Sequence, residues 1–195
     1  RSPSTPMGSL DNPASATEFA LGCGARFVAR GIDTKQKHLP EVFKRARDHK
    51  GASFVEVFQN CIVYNDGVYG HFTDKTVADD QQIVCRHGEP LIFGKDSDKG
   101  LRFLPEKLKL EVIDIGKDAK TIDDVLVHDE TNKLMAQLLA SLKSPDFPTA
   151  IGVLYCEPGP TYDDEVKKQL EAEIGGKSDA DFNEILKSGS TWAVD

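Results

Sequence analysis

The fold is decided by residues 50–66, KGASFVEVFQNCIVYND. Residues 53–58 are rich in Phe and Val with only Glu56 interrupting them, which is typical of a central strand in a parallel sheet. Cys61 follows where this strand should finish, and the Asn-Asp-Gly sequence at 65–67 predicts a turn. Ligands are held at the carboxyl ends of strands in open α/β sheets, but a free cysteine is also a common core residue. From these residues alone, both roles stay open for Cys61.

A strand, a helix and a second strand are predicted in that order for residues 26–58. Residues 26–30 are apolar enough for a strand, and residues 38–50 have the apolar spacing of an amphipathic helix. The helical positions are Leu39, Val42, Phe43 and Ala46. Two strands joined in this way form a right-handed βαβ unit, so the strand before Cys61 should lie beside or near the one at 26–30.

The remaining elements are predicted from caps, breakers and apolar periodicity. Asn12-Pro13 should open a short helix that Gly22 or Gly24 ends, and this glycine pair is too weak a signal for a dinucleotide-binding loop. Residues 67–80 are polar and predict a loop. Beyond it we expect a β-hairpin at 82–93, one or two strands at 101–115, helices at 132–142, 162–174 and 179–186, and a strand at 149–155.

Composition indicates an ordinary globular protein with 39% hydrophobic and 29% charged residues and a net charge of −8. Residues 26–50 are basic, with eight Lys or Arg against three Asp or Glu, and a solvated helix face explains them better than nucleic-acid binding.

The five histidines have no metalloprotein or triad spacing. The cysteines form no disulfide framework, which suits a cytoplasmic protein, and no apolar run is long enough for a membrane span. Cys85 and Cys156 lie in apolar strands and are predicted to be core residues.

Several long runs of sequence resemble one enzyme family. GCGARFVARGID at 22–33 and HLPEVFKRARDHKGASFVEVFQNCIVYNDG at 38–67 resemble the β subunit of 2-oxoacid:ferredoxin oxidoreductases, most closely the 2-oxoglutarate type. The resemblance continues in SPSTPMGSLDNP at 2–13, HGEPLIFG at 87–94, VHDET at 127–131 and SGSTWAVD at 188–195. It therefore spans nearly the whole chain.

This resemblance implies a fold, cofactors and partners. The fold is α/β, with the parallel-sheet βαβ core of a thiamine-diphosphate-binding domain at 1–66 and a C-terminal domain containing a β-hairpin and α+β structure at 67–195. The cofactors are thiamine diphosphate, Mg²⁺ and a four-iron, four-sulfur cluster, with Cys61 as the last of its four ligands. Asn65 falls at a cofactor-adjacent position, although its place in the turn accounts for it equally well. An α subunit, ferredoxin, a 2-oxo acid and coenzyme A are the implied partners.

The chain also departs from the family pattern. It has no Gly-Asp-Gly and no Cys-x-x-Cys, so the magnesium motif and the other three cluster cysteines of the family have no counterpart here. We therefore expect a C-terminal fragment that is inactive alone, and no catalytic residue can be assigned. Two alternatives stay open: half of a non-redox thiamine-diphosphate enzyme, which needs no cysteine at position 61, and a subunit-interaction module from residue 82 onward.

Overall fold

The computed structural model describes residues 5–8, 10–174 and 182–194, which form two compact units, Arg1–Pro158 and Gly159–Asp195. Within the first unit the strands are β1 (Phe27–Ile32), β2 (Phe54–Phe58), β3 (Gln82–Cys85), β4 (Ile92–Phe93), β5 (Lys99–Leu104), β6 (Lys109–Asp114) and β7 (Thr149–Cys156). Its helices are α1 (Ala16–Gly22), α2 (His38–Asp48), α3 (Gly70–Thr73), α4 (Ala78–Gln81) and α5 (Lys133–Ala140). The second unit contains α6 (Tyr162–Ile174) and α7 (Phe182–Lys187).

The main sheet has four strands in the order β2-β1-β7-β3. β1 is parallel to β2 and antiparallel to β7, and β7 is parallel to β3. The βαβ unit of β1, α2 and β2 is therefore confirmed. All residues of β1 and β7 are buried, because helices or loops cover both faces of these two central strands.

β2 is an edge strand, so the prediction of a central position for it was wrong. All five of its residues are only partly buried. Phe54, Val55 and Phe58 pack against three different core clusters, but apolar side chains do not determine how many strand neighbours a segment has. Among the described strands, only β1 pairs with β2.

The hairpin predicted for residues 82–93 was also wrong. β3 joins the main sheet beside β7, whereas β4 belongs to a separate antiparallel sheet in the order β4-β5-β6. The turn residues between β3 and β4 are typical of a hairpin loop, but here they connect two sheets. The strands within 101–115 and the helices at 132–142 and 162–174 are confirmed with shifts of a few residues at most.

α1 begins later than its sequence suggested. Ser15, rather than Asn12, is the N-cap, and its side chain accepts a hydrogen bond from the Glu18 backbone N–H at 3.2 Å. Gly24 follows the helix with φ +87°, as expected for a glycine after a helix end. Part of the helix predicted at 179–186 lies outside the described residues. The domain boundary at residue 66 stays a prediction, and strands from both sides of it share the main sheet.

Glu56, the polar residue that interrupts β2, is part of a partly buried ion pair. Its Oε2 atom accepts hydrogen bonds from Arg30 Nε at 2.7 Å and from the Thr17 hydroxyl at 2.6 Å. Arg30 is almost fully buried and also donates to the Ala140 carbonyl at 3.2 Å. The pair therefore ties β2 to β1, α1 and α5.

Replacing Glu56 by alanine should lower the free energy of unfolding by about 2–3 kcal/mol, because Arg30 would keep a buried charge without its carboxylate. The expected loss is smaller than for a fully buried ion pair because Glu56 is partly exposed. The matched control is Asp48→Ala, which breaks the exposed Arg47–Asp48 pair and should cost less than about 1 kcal/mol. Thermal unfolding of the two variants measures the difference. Equal melting temperatures would contradict a structural role for the Arg30–Glu56 pair.

Candidate metal-ligand site at Cys61

The loop after β2 is closed by hydrogen bonds from one asparagine. Asn60 Nδ2 donates to Asp66 Oδ1 at 2.8 Å, and Asn60 Oδ1 accepts from the Gly67 N–H at 2.9 Å. Its backbone N–H donates a hydrogen bond to Asp33 Oδ2 at 3.3 Å, and Asp33 is the residue after β1. Asn60 thus joins the two ends of the loop and anchors it to the carboxyl ends of β1 and β2. Sequence reasoning missed this residue, although an Asn beside the cysteine and an Asp-Gly pair six residues on were visible signals.

Cys61 lies three residues beyond the end of β2, on the surface of this loop, and is exposed. Hydrogen bonds from the backbone N–H groups of Tyr64 and Val63 are the main reason why its pKa is lowered, and the N–H of Asn65 contributes less. These donors stabilise the thiolate, which is the form of cysteine that binds metals. Hydrogen bonds to sulfur also tune iron–sulfur clusters, so the arrangement fits a cluster ligand.

The other cysteines lie in different surroundings. Cys85 is fully buried, and desolvation raises the pKa of its thiol to about 12. Burial also raises the pKa of Cys156, although Arg45 opposes this effect. Both were predicted to be core residues, which the structure confirms, while Cys23 is exposed. Of the two buried thiols, neither is suited to bind a metal.

Asn65 performs the turn role that the sequence allowed. Its backbone N–H donates to the Cys61 carbonyl at 3.0 Å, and the two residues form an isolated bridge across the loop. Its side chain is exposed. A direct contact between Asn65 and a cofactor stays a prediction.

The loop borders a cleft of about 220 Å³ at the carboxyl ends of β1 and β2. Asp33, Asn60 and Gly67 line its polar side. Phe58 and Tyr69 line its aromatic side, and their ring centroids are 5.1 Å apart. The position is where open α/β sheets hold ligands, and its wall includes residues that fix the Cys61 loop.

Cys61 does not lie in a complete metal site within the part of the chain that the structure describes. No three His, Cys, Asp or Glu side chains among these residues converge on one point that could hold an ion. His128 is buried, and its Nε2 donates a hydrogen bond to the Val153 carbonyl at 2.8 Å. Likewise, none of the helices described has the length and apolar character to cross a membrane.

We expect iodoacetamide to alkylate Cys61 with a pH midpoint below the ordinary thiol value of 9.0. The midpoint is expected to be lower because the pKa of the Cys61 thiol is lowered. At a pH below 9.0, a larger fraction of the folded chain therefore carries the reactive thiolate. Mass spectrometry of the Cys61 peptide after timed labelling measures the midpoint in the metal-free chain. Unfolding in urea removes the N–H donors and should raise it. The same midpoint in folded and unfolded chain would contradict the stabilised thiolate.

Fold and site together define an α/β protein with a potential metal ligand at the carboxyl edge of its sheet. No family model matches the sequence. The chain is 34% identical over 98% of its length to the 2-oxoglutarate oxidoreductase subunit KorB of Mycobacterium tuberculosis and spans about half, 52%, of that protein. It is 36% identical, over 38% of its length and 24% of the relative, to a 2-oxoacid:ferredoxin oxidoreductase subunit beta of Saccharolobus solfataricus.

A solved structure has the same fold. The 2-oxoglutarate:ferredoxin oxidoreductase of Magnetococcus marinus, with 2-oxoglutarate, coenzyme A and succinyl-CoA bound, matches 96% of this chain and 48% of its own chain with a TM-score of 0.61 and 22% identity. The chain therefore belongs to the family of 2-oxoacid:ferredoxin oxidoreductase β subunits.

Proposed function

We propose that this chain is part of the β subunit of a 2-oxoglutarate:ferredoxin oxidoreductase and supplies Cys61 as one ligand of a four-iron, four-sulfur cluster. The observation that carries the proposal is the Cys61 thiol, which is exposed three residues beyond the carboxyl end of β2. The similarity to the KorB subunit of a 2-oxoglutarate oxidoreductase, along almost the whole chain, supports 2-oxoglutarate as the substrate.

In the intact enzyme, the bond between the carboxylate and the 2-oxo carbon breaks and CO₂ leaves. The acyl carbon forms a thioester with coenzyme A, whose thiol proton is released, and two electrons pass one at a time to ferredoxin. Thiamine diphosphate with Mg²⁺ supplies the carbanion chemistry of this family when it is bound. When the cluster is bound, Cys61 would ligate one iron, and the peptide N–H groups of Tyr64 and Val63, which lower the pKa of its thiol, would stabilise the thiolate.

Exposed apolar side chains around Cys61 support incorporation into a larger assembly. Ile62, Val63 and Tyr64 are each more than three-quarters exposed. A contiguous apolar loop of this kind marks a contact surface, and covering it would shield the cluster from water. We infer that another part of the β subunit, or the α subunit, packs there. The edge of β2 is likewise available for a further strand of the thiamine-diphosphate-binding domain.

The test is the activity of the complete, anaerobically purified enzyme that contains this chain. We expect reduction of ferredoxin that needs both 2-oxoglutarate and coenzyme A, with pyruvate a poorer substrate. Decarboxylation of 2-oxoglutarate without ferredoxin reduction, in a preparation without iron, would identify a non-redox thiamine-diphosphate enzyme and overturn the proposal. An enzyme that prefers pyruvate would overturn the assignment of 2-oxoglutarate alone.

A further inference from the structure

The basic stretch at residues 26–50 has no role in the proposed ligand site, and the structure divides it into buried and exposed groups. Arg30 is buried against Glu56, and Arg45 pairs with Glu130 at 2.7 Å. The Lys37 and Lys44 side chains are exposed and make no hydrogen bond or ion pair with the residues that the structure describes. Free positive charge therefore collects on the outer side of α2.

An apolar groove lies among these bases. It is formed by Leu39, Pro40 and Phe43, and the Phe43 side chain is 48% exposed. We call Lys37, Pro40, Phe43, Lys44 and Arg47 the α2 surface. An exposed aromatic side chain with positive charges beside it is typical of a contact patch. The aromatic group supplies contact area, and the charges select a partner of opposite sign.

Two of the three acidic groups near the α2 surface bind other residues of the chain. Asp48 forms an ion pair with Arg47 at 2.8 Å, and Asp33 accepts the Asn60 N–H. Glu41 lines a different groove, on the side of α2 that faces β7. The rest of the chain is acidic: residues 26–50 have a net charge of +5 in a chain of net charge −8. The α2 surface is thus a local positive area on a negative protein.

The α2 surface also adjoins the Cys61 loop. Asp33 lines both the apolar groove on α2 and the cleft beside Asn60, and Cys61 is the residue after Asn60. A protein bound to α2 would therefore lie beside the sulfur that we propose to ligate iron. Because electron transfer slows steeply with distance, the acceptor of a cluster must dock close to it.

We propose that the α2 surface is the docking site for an acidic one-electron carrier protein that takes electrons from the cluster at Cys61. This inference rests on the proposed function. Electron-transfer complexes use small interfaces and are steered by charge, which fits a few lysines around one aromatic anchor.

The test uses the complete enzyme, a purified acidic ferredoxin as the carrier and methyl viologen as a small acceptor that needs no docking site. Lys37→Glu/Lys44→Glu should raise the KM for ferredoxin about tenfold and remove most of its dependence on ionic strength. The rate with methyl viologen should stay within about twofold of wild type, because charge reversal at the protein surface leaves the reacting groups in place. Calorimetric titration with oxidised ferredoxin should show a matching rise in Kd.

Lys107→Glu/Lys109→Glu is the matched control, since both lysines are exposed and lie at the β5–β6 turn. An unchanged KM and Kd in the α2 variant, or equal changes in the control, would overturn the docking site while leaving the proposed function intact. Failure of the α2 variant to assemble with its partner subunit would assign the surface to a subunit interface and also overturn it. Wild-type enzyme that does not reduce methyl viologen with 2-oxoglutarate would overturn the proposed function, and this inference with it.

Discussion

Cys61→Ser in the intact enzyme is expected to lower ferredoxin-linked 2-oxoglutarate oxidation by about 100-fold or more, since removing groups that merely support a metal ligand already costs about 10- to 100-fold. Serine is a harder ligand than thiolate, so the cluster would be lost or its potential altered. In the isolated, metal-free chain the same substitution should change the free energy of unfolding by less than about 0.5 kcal/mol, because the side chain is exposed. The measurement is the turnover rate per folded enzyme, with folding checked by thermal unfolding.

Two other cysteines provide the controls for this prediction. Cys23→Ser changes another exposed thiol and should leave both rate and melting temperature near wild type. Cys85→Ser places a hydroxyl in the core and should cost roughly 1–3 kcal/mol, with activity per folded molecule retained. A rate loss shared by all three variants would point to a general effect of cysteine replacement and count against a specific role for Cys61.

Gly152→Ala is expected to be the most destabilising single change in the main sheet. Gly152 lies in β7 with φ +104°, and a Cβ there would approach the Cys85 carbonyl oxygen to 2.6 Å. Strain at positive φ and overlap with backbone together should cost about 3–5 kcal/mol. At roughly 2–4 °C per kcal/mol for a unit of this size, the melting temperature should fall by about 6–20 °C.

Gly22→Ala is the matched control within the same chain. Gly22 ends α1, and a Cβ built on it would have no atom within 4 Å apart from its chain neighbours and the backbone of its own helix. Because alanine favours the helix more than glycine does, this variant should be neutral or more stable by up to about 1 kcal/mol. Differential scanning calorimetry compares the two substitutions directly. Similar melting temperatures for Gly152→Ala and wild type would show that β7 can relax around the added methyl group.

The features that the sequence predicted correctly are those that local pattern determines. The apolar spacing of α2 and the short links around it gave the βαβ unit, because a helix between two nearby strands has few other ways to pack. The position of Cys61 followed from the end of the Phe-Val run. Asn65 was placed in a turn because its Asn-Asp-Gly context has that conformational preference.

The features that the sequence did not predict depend on contacts between distant segments. β3 pairs with β7, more than sixty residues further along the chain, and this pairing replaces the expected hairpin. The edge position of β2 depends on β7 occupying the other side of β1. Glu56 looked like an interruption of a strand because its partner, Arg30, lies on a neighbouring strand, and the N–H groups around the Cys61 sulfur depend on the loop conformation.

Iron and acid-labile sulfide, measured per enzyme after anaerobic purification, show whether Cys61 ligates the cluster. We expect wild-type iron and sulfide in Cys23→Ser and a loss of most iron, or a changed EPR spectrum of the reduced cluster, in Cys61→Ser. Equal iron and an identical EPR spectrum in Cys61→Ser and wild type would contradict the assignment of Cys61 as a cluster ligand.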